Sequence, residues 1–123
     1  MSEREVPSDE QSEARAQVEA ELLGGVLDLD READRLAAMG EPTRFVVLYL
    51  LATEGRLRSG ELADRLDRRQ NDLYHHLNAL EEAGLVGKFR DGRSRVYELS
   101  PLAERFVPAV FDAIGDRAET VSG

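Results

Sequence analysis

The stretch SGELADRLDRRQNDLYHHLNALEEAGLVGKFRDGRSRVYEL, residues 59–99, decides the fold. Leu62 and Leu66 stand four apart before a polar break at Asp67-Arg68, and Leu73, Leu77 and Leu80 recur at helical spacing beyond it. This pattern predicts two short amphipathic helices joined by a tight turn. The first runs Gly60 to Leu66 with Ser59 placed to cap it, and the second ends at Gly84. At about 100° per residue, Asn71, His75, Asn78 and Glu82 fall opposite the leucines, with Tyr74 at the edge. After Gly84 the apolar period shifts towards two over Leu85 to Arg90 and Arg93 to Leu99, with Asp91-Gly92 between them, which is a hairpin signal. Arg90, Arg93 and Arg95 gather at its tip. Two helices on a tight turn followed by an arginine-tipped hairpin make a winged helix-turn-helix.

The flanking segments read as helices too. Glu10 to Leu23 carries Ala14, Val18 and Leu22 every four residues among charges and is closed by Gly24-Gly25. Arg31 to Met39 is expected to bury Ala33, Leu36 and Ala37 and to stop at Gly40. Pro42 suits a first helical position, and Phe45 to Ala52 is apolar nearly all round, as a central core helix is. Pro101 opens a last helix to about Arg117, where Pro108 predicts a kink. The expected fold class is mainly α with a small β hairpin: a winged helix-turn-helix with N- and C-terminal dimerisation helices. Its expected divisions are a mobile tail at 1–9, a helical arm at 10–29, the DNA-binding domain at 30–100 and a C-terminal dimerisation helix at 101–123.

Composition narrows the function. A chain of 123 residues has room for one small domain and a helical arm. It has no cysteine, which removes disulfides, thiolate metal sites and thiol nucleophiles, and only His75 and His76 as imidazoles. Those two neighbours diverge by about 100° on a helix, so a shared ligand is not expected. No nucleophile has a base and an orienting group nearby, so the chain does not read as an enzyme, and no metal or cofactor is expected. The longest apolar run falls far short of the roughly 20 residues that span a bilayer. The acidic, polar start resembles neither a secretory signal nor a transit peptide, so an intracellular, cytoplasmic protein is expected.

Acidic residues number 25 against 16 basic ones, for a net charge of −9, and Lys88 is the single lysine. A carboxylate-rich surface nearly free of lysine suits molar salt, where the Debye length shrinks to about 3 Å, and points to a halophilic archaeal source. The charge is uneven. Residues 56–95 alone are net positive, with 9 bases against 7 acids, and phosphate is the natural counterpart. The candidate DNA contacts are Arg68, Arg69, Gln70, Asn71, Tyr74 and His75 on the second helix and its entry, and Arg90, Arg93, Ser94 and Arg95 on the wing. Tyr74 reads equally as a half-buried aromatic, and a helix cap is the lesser alternative to base reading for Asn71. His76 is expected to pack beside Leu73 and Leu80. Val18, Leu22, Leu102, Phe106, Val110, Phe111 and Ile114 exceed what so small a core needs and are the candidate dimer interface.

Several of these strings also resemble the ArsR-type winged-helix transcription regulators, which are close to PadR-like regulators. They are Leu36-Ala37-Ala38-Met39-Gly40-Glu41-Pro42-Thr43-Arg44, Gly60-Glu61-Leu62-Ala63, Leu73-Tyr74-His75-His76-Leu77, Leu80-Glu81-Glu82-Ala83-Gly84-Leu85-Val86 and Asp91-Gly92-Arg93. The resemblance implies a homodimeric repressor that binds a short promoter palindrome in double-stranded DNA, with terminal helices at the dimer interface. Among haloarchaea it further implies a role in a stress response. Metal-sensing members carry a cysteine site where this chain has Leu57-Arg58-Ser59-Gly60, or histidines on the last helix, which here has none. Arg68 and Arg69 replace the family's usual apolar residue and serine cap at the entry to the second helix, and suit phosphate contacts. A competing reading is a winged-helix adaptor that binds protein rather than DNA, motivated by the acidic balance and by Asp67, Asp72, Glu81 and Glu82 near the reading face.

Overall fold

The computed structural model describes residues 12–122, so the expected tail at 1–9 and Glu10, the expected start of the first helix, lie outside the described residues. The chain divides into two units, Met1–Asp34 and Arg35–Gly123.

In the first unit, α1 spans Glu13–Glu21, and the Ser12 side chain accepts the Arg15 N–H at 3.0 Å to cap it. The helix buries no residue, and Val18 and Leu22 are exposed. Gly24 and Gly25 end the segment with left-handed backbones, as their position predicts. Arg15 reaches Asp30 at 3.0 Å, tying α1 to the start of α2, Leu29–Met39. Only Met39 of α2 is buried. Ala33, Leu36 and Ala37, expected inside, face solvent, because periodicity identifies the apolar side of a helix but not whether a partner covers it.

The second unit is built on α3, Pro42–Glu54. Pro42 opens it as expected, since its missing N–H costs nothing there, and the Glu41 carboxylate caps the N–H groups of Thr43 and Arg44. Val47, Leu48 and Leu51 point into a core shared with Leu62 of α4 (Ser59–Leu66) and with Leu73, Leu77 and Leu80 of α5 (Gln70–Glu82). The two-helix expectation therefore holds, with one correction. Ser59 is the first residue of α4, not its cap; Glu61 instead accepts the Arg58 N–H at 2.9 Å.

The hairpin forms from β2 (Val86–Asp91) and β3 (Ser94–Leu99), and β1 (Leu57–Arg58) joins on the other side of β3. The result is a three-stranded antiparallel sheet in the order β1-β3-β2. Asp91 pairs with Ser94, so the loop is Gly92-Arg93, one residue later than the Asp-Gly signal implies. Gly92 alone takes the positive φ of that turn, 66°, and Arg93 becomes the tip itself.

Gly84 ends α5 at φ 75°: its N–H bonds to the Glu81 carbonyl and that of Leu85 to Leu80, a Schellman closure that only a residue free of Cβ strain makes cheaply. The Ser100 hydroxyl donates to the Gly84 carbonyl at 2.7 Å and caps Ala103, so the end of α5 and the start of α6, Pro101–Ser122, are pinned together. The last helix runs on past Arg117 as one helix through Pro108. Its two halves are held separately, since Val107 is buried and Phe111 packs edge-on to Phe45 with ring centroids 5.0 Å apart.

Tyr97 is fully buried, and its hydroxyl has no hydrogen-bond partner among the described residues. An unmatched buried hydroxyl opposes folding, so Tyr97→Phe is expected to leave thermal stability unchanged or raised. A drop of more than about 1 kcal/mol on denaturant unfolding would contradict this.

Candidate nucleic-acid interface

The turn between α4 and α5 hinges on Asp67, whose φ of 53° lies in the left-handed region that aspartate tolerates better than most residues. Arg68 and Arg69 follow, both exposed. Arg69 occupies the N-cap position of α5 but supplies no side-chain cap, so the reading of Asn71 as the cap of this helix is corrected: Asn71 lies one residue inside it. The first N–H groups of α5 thus follow directly on two exposed arginines, a combination that favours an anion.

With Leu73, Leu77 and Leu80 buried, α5 presents Asn71, His75 and Asn78 outward, as expected. Tyr74 is half-buried, and its ring lies beneath the Arg95 guanidinium at 5.1 Å, so it is both a packed aromatic and part of the surface. Gln70 is less free than the sequence suggests. Its side-chain carbonyl accepts the Ser59 hydroxyl at 3.2 Å and lies 3.5 Å from that of Tyr74, which braces α5 against α4.

The wing closes over this face. Arg90, Arg93, Ser94 and Arg95 line a cleft of about 560 Å³ together with Arg58, Gln70 and Tyr74. Arg90 stands directly opposite Arg95 in the β2–β3 ladder. Like charges facing each other across strands destabilise a sheet, so an anion between them would relieve the pair. Arg58 is a residue that the sequence reading misses. Its guanidinium holds the Asp91 carboxylate at 2.9 Å and so fastens the wing to the start of α4. The only sequence signal for it is membership of the net-positive segment. Arg58→Ala is expected to weaken binding to all duplexes alike by a few-fold through a looser wing, as titration of random and specific DNA would show. Two carboxylates, Glu61 and Asp64, share the cleft wall. Glu81, by contrast, lies 3.2 Å from the Lys88 ammonium.

His76 does not simply pack among leucines as expected. It is 8% exposed, with Nδ1 3.2 Å from Arg44 Nε and 3.0 Å from the Glu41 carboxylate. Burial pushes its pKa below the usual imidazole value; Glu41 opposes this, while His75, Arg44 and Arg68 add to it. Nδ1 thus stands between the Arg44 guanidinium and the Glu41 carboxylate, within hydrogen-bonding distance of both. For Glu41, burial acts to raise the pKa, but the N–H of Thr43, then His76 and Arg44, outweigh it and hold the carboxyl low. The two histidine rings also approach to 3.9 Å despite their divergent positions. Among the described residues, however, no group of three His, Cys, Asp or Glu could hold a metal ion.

Both lowered pKa values act in the same direction on stability. Each group binds protons more readily unfolded, so stability is full above the unfolded pKa and falls as pH drops. Thermal stability is expected to fall first below the imidazole value of 6.5 and again below the carboxyl value of 4.5. His76→Gln should flatten the first step. An unchanged profile in that variant would dissociate His76 from it.

A recognition helix with an exposed polar face, beside a wing whose three arginines meet Arg58 in one cleft, defines a winged helix-turn-helix DNA-binding domain. Residues 39–86 match a helix-turn-helix domain family. The chain is 35% identical over 68 residues to an uncharacterized HTH-type transcriptional regulator of Methanocaldococcus jannaschii, covering 55% of this chain and 76% of that one. A solved structure described as a possible transcriptional regulator for arsenical resistance is 37% identical and superposes with a TM-score of 0.55, over 66% of this chain and 83% of the other. The homodimeric winged helix-turn-helix domain of a possible ArsR-family regulator from Mycobacterium bovis, at 23% identity, shares the fold with a TM-score of 0.65, over 88% of this chain and 90% of its own. This chain belongs to the helix-turn-helix transcription regulators, and it is similar to arsenical resistance regulators of the ArsR type. No helix among the described residues is long and apolar enough to cross a membrane.

Proposed function

We propose that the protein is a homodimeric repressor that reads a palindromic promoter site in double-stranded DNA and works at high salt in a haloarchaeal cytoplasm, within a stress response. The observation that carries the DNA reading is the cleft in which Tyr74 of α5 meets Arg90, Arg93 and Arg95 of the wing, with Asn71 and His75 exposed on the same helix. Helix side chains there would meet base edges in the major groove while wing guanidinium groups meet phosphate or the minor groove. A mobility shift with the region upstream of its own gene, run at high potassium chloride, tests this. A shift at a defined site supports repression there. Failure to shift at any salt would favour the protein-binding adaptor instead.

Pairing through α1 and α6 is supported by the exposed apolar side chains of Val18, Leu22, Leu102 and Ile114. Phe106, Val110 and Phe111 contribute less to such a face, since they pack partly against the monomer's own core. The homodimeric M. bovis domain is in keeping with this arrangement. Sedimentation in molar salt is expected to give a dimer, and a monomer at micromolar concentration would overturn the pairing.

Salt dependence follows from the charge. Each neutralised phosphate contributes a log–log slope of about −0.9 through counterion release. Asp64 on the cleft wall would approach phosphate only with a cation between them, and uptake of that cation offsets the release. Affinity is therefore expected to change little across potassium chloride, and Asp64→Asn should steepen its loss. Glu81, engaged by Lys88, is a poorer candidate for this role than Asp64. A steep loss of affinity in the unaltered protein would refute the salt adaptation.

A further inference from the structure

A second cleft, of about 610 Å³, lies between α3 and α6, away from the DNA-facing side. Its size falls within the roughly 300–1,000 Å³ typical of small-molecule sites. Tyr49, 49% exposed, and Phe111 form its aromatic wall, edge to face at 5.4 Å, and Phe45 holds Phe111 from behind at 5.0 Å. The wall is thus preorganised. The α6 side of the groove, beyond Phe111, also carries Asp112, Asp116 and Glu119. None of the three forms an ion pair among the described residues. Carboxylates at this spacing repel one another and, towards the C-terminus, oppose the helix dipole; no basic residue occupies the last turn to compensate.

Gly115 lies between them. A glycine inside a helix costs about 1 kcal/mol relative to alanine, and this one has no left-handed backbone to justify it. Nothing lies within 4 Å of where its Cβ would stand. Neither conformation nor packing calls for the glycine, and its effect is to keep the groove open.

An aromatic wall sharing a groove with carboxylates that form no ion pair among the described residues is complementary to an organic cation, which gains from ring faces and charge at once, whereas a hydrated metal ion gains nothing from the rings. We propose that the α3–α6 groove binds a lipophilic organic cation of drug size, such as a quaternary phosphonium or aryl-ammonium compound.

Calorimetric titration of the full chain with tetraphenylphosphonium and with tetraphenylborate, near-isosteres of opposite charge, tests this. The cation is expected to bind at least about tenfold more tightly than the anion, and Tyr49→Ala and the double variant Asp112→Asn/Asp116→Asn should each weaken it by about tenfold or more. Gly115→Leu, which favours the helix and fills the groove, should abolish binding while leaving the fold intact, so the test survives if Tyr49→Ala fails to fold. Equal binding of both ions would show a merely apolar surface. Binding of neither would mean that the groove is covered, as by a second copy of the chain, and binding indifferent to all three variants would place it elsewhere. Each of these results would overturn the proposal.

Discussion

Leu77→Ala is expected to cost about 2–5 kcal/mol of folding stability, the range for truncating a buried leucine whose surroundings relax only in part. Leu77 is fully buried on α5, in the core that also holds Leu48, Leu62 and Leu80. Domains of this kind are stable by about 5–15 kcal/mol in all, so the variant would stand near its unfolding threshold. DNA binding should fall with it, although no group that faces DNA has changed, because α5 presents Asn71 and His75 only while its opposite face is packed. Urea unfolding read alongside DNA titration separates the two effects: affinity recalculated for the folded fraction should match that of the unaltered protein. A loss below about 1 kcal/mol would mean that the core closes over the missing methyls far better than cores do.

The second large effect concerns sequence discrimination. Asn71→Ala and His75→Ala are each expected to lower the preference for the specific site over random duplex by about 1–3 kcal/mol, the usual worth of a lost base contact. Arg93→Ala should behave differently. Its side chain stands at the wing tip, and its loss should weaken specific and random binding alike and reduce the salt slope by about 0.9. Arg95→Ala combines the two behaviours, because Arg95 also covers the Tyr74 ring. Titrations on both duplexes at one salt concentration decide the assignment. A wing-tip variant that altered only specificity would exchange the roles of wing and helix.

Much of this architecture is legible in the amino-acid sequence. The spacing of Leu73, Leu77 and Leu80 specifies which side of α5 is buried, because a helix has a fixed angular period, and the outward side follows by subtraction. Gly84 and Gly92 mark their turns because few other residues tolerate a left-handed backbone. The net-positive middle segment of an acidic chain is likewise a property of composition alone, and it coincides with the segment that forms the arginine cleft.

What required the tertiary structure is every relation between residues distant in the chain. β1 has two residues, too few to show a period, and becomes a strand only because β3 offers it an edge. Arg58 is one arginine among 15 until the fold brings it to Asp91, 33 positions away. His76 shows the same limit: its helical position puts it on the inner side of α5, but only the packing of α3 sets Glu41 and Arg44 against its ring. Local sequence determines period, turn and cap, since those depend on neighbouring dihedral angles. Long-range pairing depends on which surfaces meet, and that is decided only when the whole core closes.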